Sequence, residues 1–248
     1  MEQVKKRTKA DILADLRGQI REMEGFKVNM AVSPVKFNIP EIDQALPNEV
    51  FPLGAVHELL SQGNEMTAAS TGFMSSLLGK ILKAGGFVVW IAKKRTVFPP
   101  GLARFGLESD RIIFIDLAQD QEILWATEEA LRSMGIAAVV SEIADVDLTS
   151  TRRMQLAVEQ SQVTGFLLRS NPKKSGSSSC VTSWRIKPLP TSFSDGMPGV
   201  GFPRWNVELI RARNGKPGEW QIEWREDAFH LVRPEKTGLI PSILKAVR

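Results

Sequence analysis

The sequence predicts an α/β fold with a mostly parallel β-sheet flanked by helices, and three observations carry that reading. Short, almost wholly apolar runs, FVVWIA (87–92) and IAAVVSEI (136–143), have the composition of strands buried on both faces, and RIIFIDL (111–117) between them reads as a further strand. Amphipathic stretches of helical period lie between them, so strand and helix alternate. After Ser170 the pattern changes to alternating strands joined by tight turns, which reads as an antiparallel β-hairpin extension.

Each element follows from a local signal. TKADILADLRGQIREMEGF (8–26) is expected to be a helical arm, with Ile12, Leu13, Leu16, Ile20 and Met23 on one face, Thr8 and Asp11 at its start and Gly25 at its end. The following stretch carries Pro34, Pro40, Pro47 and Pro52 and reads as extended connection with a short helix near 42–46. GAVHELL is a first strand. STGFMSSLLGKILKAGG is a helix with Phe73, Leu77, Leu78, Ile81 and Leu82 inward and Gly85-Gly86 as its stop. PPGLARFGL reads as a turn and short helix, and QEILWATEEALRSMG as an amphipathic helix ending at Gly135. TSTRRMQLAVEQSQV is a further helix capped by Thr149 or Ser150, and TGFLLRS a further strand. VTSWRIKPLP, RWNVELIRA, EWQIEWRE and AFHLVRP supply the meander, with Trp205, Val207 and Leu209 alternating against Trp220, Ile222 and Trp224. The expected division is an N-terminal helix and proline-rich linker over 1–49, a core domain over 50–232, and a tail over 233–248.

Composition narrows the chemistry. The 248 residues are 43% hydrophobic and 24% charged, an ordinary globular balance. No apolar run is long enough to span a bilayer, and the basic start MEQVKKRTKADI lacks an apolar signal region. Cys180 is the single cysteine, with no local nucleophile context, and His57 and His230 are the two histidines, which speaks against disulfides and zinc chemistry. Asp116, Asp145 and Asp147 lie in different turns without ligand spacing, so no metal is expected. A cytoplasmic setting is the expectation. Charge is uneven: residues 151–248 hold 16 basic and 8 acidic side chains, whereas the whole chain has a net charge of +4. A basic second half suits a polyanion or an acidic partner.

VHELLSQGNEMTAASTGF (56–73) stands where a phosphate-binding loop would stand, between a strand and a helix. Such a loop needs G-x-x-x-x-G-K-[ST], whose backbone N–H groups and lysine surround the phosphates. From Gly63 to Gly72 is too long, Phe73 follows Gly72 where lysine is required, and the nearest downstream lysine is Lys80. Gly63, Ser70, Thr71 and Gly72 therefore read as a degenerate phosphate loop, without catalytic residues and without a cofactor. His57 and Glu58, in the strand before it, read as structural, with Glu58 satisfying nearby backbone.

The order of elements resembles the RecA-like core over roughly 50–232. FPLGAVHELLSQ resembles the strand that introduces the RecA phosphate loop, AAVVSEIADV the Walker B strand, and NGKPGEWQIEWRED the closing hairpin. Within that superfamily the chain is similar to the ImuA family, RecA-like and SulA-related, on GAVHELL, ATEEALRSMGIAAVVSEI, DLTSTRRMQLAVEQSQVTGFLLR, TSWRIKPLP and PRWNVELIRARNGKPGEWQIEW. That resemblance implies a place in damage-induced translesion synthesis, alongside ImuB and an error-prone replicative-type DNA polymerase, and possible contact with RecA. It also implies two further losses. Ser141 stands where RecA-like ATPases carry the metal-organising aspartate, with Glu142 expected on the opposite face. Lys93 and Lys94 stand where the catalytic glutamate would be.

Two kinds of contact remain as expectations. Arg152, Arg153, Arg169, Lys173 and Lys174, with Arg211, Arg213 and Lys216, are candidate DNA or partner contacts that neutralise phosphates without reading sequence. The arm 8–26 resembles in position the RecA segment that docks on a neighbour, and is a candidate for reaching ImuB, a RecA filament end or a second copy. A non-catalytic adaptor is the leading reading. A divergent RecA-like ATPase and a SulA-like cell-division inhibitor binding FtsZ are its alternatives.

Overall fold

The computed structural model describes residues 34–173, 178–191 and 201–232. The arm 8–26, with Ile12, Leu13, Leu16, Ile20 and Met23, lies outside the described residues, as do Lys174 and the tail from 233. One nine-stranded sheet organises the chain. Its strands are β1 (Val56–Ser61), β2 (Phe87–Ala92), β3 (Ile112–Asp116), β4 (Ile136–Glu142), β5 (Thr164–Ser170), β6 (Thr182–Leu189), β7 (Arg204–Ala212), β8 (Gly218–Arg225) and β9 (Ala228–Leu231). They lie in the order β3-β2-β4-β5-β1-β6-β7-β8-β9. Pairing is parallel from β3 through β6 and antiparallel from β6 to β9. The expected α/β class, mostly parallel with an antiparallel C-terminal extension, is what the chain forms.

The helices are α1 (Pro40–Asp43), α2 (Gly63–Ile81), α3 (Pro99–Leu102), α4 (Asp120–Arg132) and α5 (Leu148–Ser161). The inner parallel strands β1, β2, β4 and β5 are largely buried on both faces because helices cover both, whereas β3, at the sheet edge, leaves Ile113 exposed. On one face α2 packs over an apolar cluster that includes Phe73, Leu77, Trp90, Trp184, Trp205 and Ile222. On the other, α4 and α5 pack over Val56, Ile91, Val139, Leu167 and their neighbours. The α5 cap is Asp147, whose carboxylate accepts the Ser150 N–H at 2.8 Å, rather than Thr149 or Ser150.

The proline-rich stretch before β1 is more than connection. Val35, Phe37, Ile39, Ile42, Ala45 and Leu46 are buried in the α2-side core. Phe37 stacks on Phe73 with ring centroids 5.8 Å apart and lies 5.1 Å from Phe229. Prolines fix the backbone of this segment, and its alternate residues supply the apolar side chains that close the core. From residue 34 onward the expected linker is thus continuous with the core.

His57 is a packing residue. Its ring is fully buried between Phe51 and Phe166, at centroid distances of 4.3 and 5.4 Å. Nε2 lies 2.9 Å from the Pro52 carbonyl, an obligate acceptor, so Nε2 carries the proton. Nδ1 then accepts from the Thr182 hydroxyl at 2.7 Å, and that hydroxyl accepts from the Trp184 indole at 2.6 Å. Burial lowers the His57 pKa from 6.5 to about 3, against the smaller opposing effect of the Pro52 hydrogen bond. A base held neutral when folded, and free to protonate when unfolded, stabilises the fold fully above pH 6.5. That stability is lost as pH falls from 6.5 toward 3. The wild-type advantage in unfolding free energy over His57→Gln should therefore shrink by about 2 kcal/mol between pH 7 and pH 5, measured by denaturant titration at both values.

Candidate functional site

In a parallel sheet covered by helices, ligand chemistry is expected outside the carboxyl ends of the strands. Here that edge is formed by the ends of β1, β5 and β4 and by the start of α2. The loop expected between Gly63 and Gly72 is not present. Gln62 alone separates β1 from α2, and Gly63 through Ile81 are helical. The run EMTAAS contains good helix formers and no proline, so helix propagates through it.

The members of the expected phosphate loop are consequently spread along two and a half helical turns. Gly63, at φ +77°, opens the helix and is exposed. Ser70 is fully buried. Gly72 is buried because a side chain there would press on neighbouring rings: an added Cβ would lie 3.1 Å from Trp205 and 3.2 Å from Phe105. Gly79, two turns on, is tighter still, with the Phe105 carbonyl oxygen 2.7 Å from an added Cβ. These glycines let α2 approach the 105–106 turn and β7, so Gly72, a member of the expected degenerate phosphate loop, is a packing glycine.

The helix start is already occupied. The Gly63 N–H donates to Asn171 Oδ1 at 2.8 Å, and Asn171 itself sits at φ +52°, just past β5. The Thr67 hydroxyl lies 3.2 Å from Ser61 Oγ, 3.1 Å from Ser170 Oγ and 3.0 Å from the Gly63 carbonyl. Groups that would otherwise face an anion are thus bonded among themselves, joining the ends of β1 and β5 to α2.

In β4, strand alternation separates Ser141 from Glu142, as expected. Ser141 accepts from the Thr127 hydroxyl of α4 at 2.9 Å and so faces α4. Glu142 accepts from the Trp90 indole at 2.7 Å, within the face that α2 covers. Burial raises the Glu142 pKa, against the Trp90 hydrogen bond that lowers it. Lys93 and Lys94 are exposed, and Lys93 pairs with Asp120 at 2.8 Å. Asp116 pairs with Arg95, and Asp145 accepts the Lys173 N–H. No group of three or more potential metal-binding side chains occurs among the described residues.

Glu58 organises the other face. It is buried, and it does not satisfy local backbone as the sequence suggested. Its Oε2 accepts from Arg169 at 2.9 Å and its Oε1 from the Ser178 hydroxyl at 2.6 Å. Arg169 is 3% exposed and also donates to the Ala144 carbonyl at 3.2 Å, so it is a structural cation and not a DNA contact. Arg211 donates to the Ser178 carbonyl, the Ser178 hydroxyl and the Cys180 carbonyl, and Arg213 to the Ser179 carbonyl. Both therefore hold the segment entering β6. Cys180 is buried, and burial pushes its thiol up to about 12. Of the remaining candidates, Arg152, Arg153, Lys173 and Lys216 are exposed, and Arg153 pairs with Glu128 at 3.2 Å. Among the described residues no helix is long and apolar enough to cross a membrane.

Two substitutions test this geometry. Arg169→Ala leaves Glu58 buried without its cation and should cost about 3–5 kcal/mol of stability in urea unfolding. Asn171→Ala exposes the Gly63 N–H and should cost about 1 kcal/mol, since it removes a cap by a neighbouring side chain.

No protein-family model matches the chain. Over 204 residues it is 36% identical to "Protein ImuA" of Caulobacter vibrioides strain NA1000, an alignment covering 77% of this chain and 84% of the relative. The identity and coverage are the same for "Protein ImuA" of Caulobacter vibrioides strain CB 15. At that identity, across most of both chains, the protein belongs to the ImuA family.

Proposed function

We propose that the protein is a non-catalytic, RecA-like adaptor in damage-induced translesion synthesis, working beside ImuB. Membership of the ImuA family supports a part in the ImuB-associated mutagenesis pathway. The observation that carries the non-catalytic part is the single-residue connection between β1 and α2, with the Gly63 N–H bonded to Asn171. A phosphate loop wraps a polyphosphate with successive backbone N–H groups and a lysine. One residue leaves no chain for that wrapping, and the adjacent hydroxyls are engaged with one another.

An adaptor without turnover acts through surfaces. The arm 8–26, with Ile12, Leu13, Leu16, Ile20 and Met23, offers an apolar stripe for ImuB, with RecA and the error-prone replicative-type polymerase as further partners of the same assembly. Arg152, Lys173 and Lys216 are exposed cations suited to weak, sequence-independent contact with DNA phosphates. Nothing in the geometry favours the divergent ATPase or the FtsZ-binding reading over this one.

The experiment is co-purification of tagged full-length protein with ImuB. The wild type should retain ImuB, and Leu13→Asp with Leu16→Asp should reduce retention at least tenfold while circular dichroism stays unchanged. Wild type that never retains ImuB would remove the adaptor reading.

A further inference from the structure

Phe98 is the most exposed aromatic side chain among the described residues, at 72%. A single apolar side chain on a surface is ordinary. Three features set this one apart. The first is rigidity. Phe98 precedes Pro99 and Pro100, which open α3, so its own backbone is held extended and theirs at one φ. Its carbonyl accepts the Gly101 N–H at 3.0 Å. The ring lies beside Gly101, where an added Cβ would stand 3.5 Å from Phe98 Cδ1. Further on, the Arg104 carbonyl accepts the Trp224 indole N–H at 2.9 Å, which ties this turn to β8. The ring is therefore presented to solvent on a fixed support, and little ordering remains to be done on binding.

The second feature is charge. Residues 93–107, which leave the carboxyl end of β2, carry Lys93, Lys94, Arg95 and Arg104 and no acid. All four cations are exposed. Lys93 is matched by Asp120 and Arg95 by Asp116, so these two are neutralised. Lys94 and Arg104 make no ion pair among the described residues. Arg104 follows Gly101 by three residues along the continuous helical turns 99–105, which brings it to the side of the turn that the ring covers.

The third feature is the surroundings. A protein anchor is ringed by apolar contacts that exclude water. No other large exposed apolar side chain lies within 93–107. A nucleobase needs no such ring, because it stacks on one flat face and leaves its edges in water. The other exposed aromatics are placed differently. Trp125 stands near Glu128 and Glu129, which repel phosphate, and Phe87 has the Arg111 guanidinium 5.7 Å from its ring centre.

We propose that Phe98 stacks on a base of a single-stranded nucleic acid, with Lys94 and Arg104 on the flanking phosphates. A duplex keeps its base faces stacked on each other, so it engages the cations alone. The site is distinct from the phosphate contacts proposed at Arg152, Lys173 and Lys216. It does not depend on the adaptor reading, and its test uses no ImuB.

The test is fluorescence anisotropy of labelled oligothymidylate and oligouridylate of about 20 nucleotides, and of a duplex of the same length, with full-length protein. Phe98→Ala should weaken single-strand binding about tenfold and duplex binding less than about twofold, with unchanged circular dichroism. Phe98→Trp should keep single-strand binding. Lys94→Ala with Arg104→Ala should reduce the slope of log K against log salt by about 1.4, two phosphates at about 0.7 each. Binding of either oligonucleotide through Phe98 supports the inference, and the ratio of the two identifies the strand as DNA or RNA. A wild type that binds no single strand, a Phe98→Ala variant that binds like the wild type, or equal loss on single strand and duplex would each overturn it. So would a Phe98→Ala variant that loses ImuB while no oligonucleotide binds, which would give the ring to a protein partner.

Discussion

Gln62, one residue, joins the central strand to the longest described helix, and much of the carboxyl edge of the sheet follows from it. Because α2 begins at once, its first N–H must find a partner close by, and Asn171 at the end of β5 provides it. That bond ties the segment after β5 to the helix start. Ser61, Thr67 and Ser170 then fall within hydrogen-bonding range and satisfy one another. The edge that serves as a binding crevice in other open parallel sheets is here a knot of internal bonds.

A second constraint lies earlier, within β1, where alternation sends His57 and Glu58 to opposite faces. His57 is neutral and joins Pro52, Thr182 and Trp184 under α2. Glu58 is matched by Arg169 and Ser178 and approached by Arg211 at 3.7 Å. A buried carboxylate needs such company, since desolvation without a cation is costly. The arrangement draws β1, β5, β7 and the segment entering β6 together at one point. It also explains why basic residues in the second half of the chain are only partly available to a partner: Arg169, Arg211 and Arg213 hold the protein's own backbone and the buried Glu58.

Much of the fold was legible in the sequence because its signals are local. The apolar runs 87–92 and 136–143 give strands buried on both sides, and the alternation of Trp205, Val207 and Leu209 gives the half-covered antiparallel strand β7. The helix at 63–81 is hidden in the sequence because glycine has two physical uses: Gly63 and Gly72 spell a degenerate phosphate loop, whereas Gly72 is backbone that approaches Trp205 and Phe105, partners far away in sequence. Alternation sets Glu142 opposite Ser141 but fixes relative, not absolute, orientation; only the packing of Trp90 against α2 says which face is which. Arg169 was misread for a related reason, since its partner Glu58 lies 111 positions away in the chain. The core role of Phe37 and Ile42 was hidden by the prolines around them.

The sheet is proposed to work without nucleotide, and equilibrium binding of Mg-ATP by calorimetry, at millimolar nucleotide and with full-length protein, tests that most directly. The account expects no saturable heat for the wild type, and none for Asn171→Ala, because uncapping one N–H creates neither a loop nor a lysine. Stoichiometric, saturable binding by the wild type that substitutions at Gly63 or Asn171 remove would contradict it.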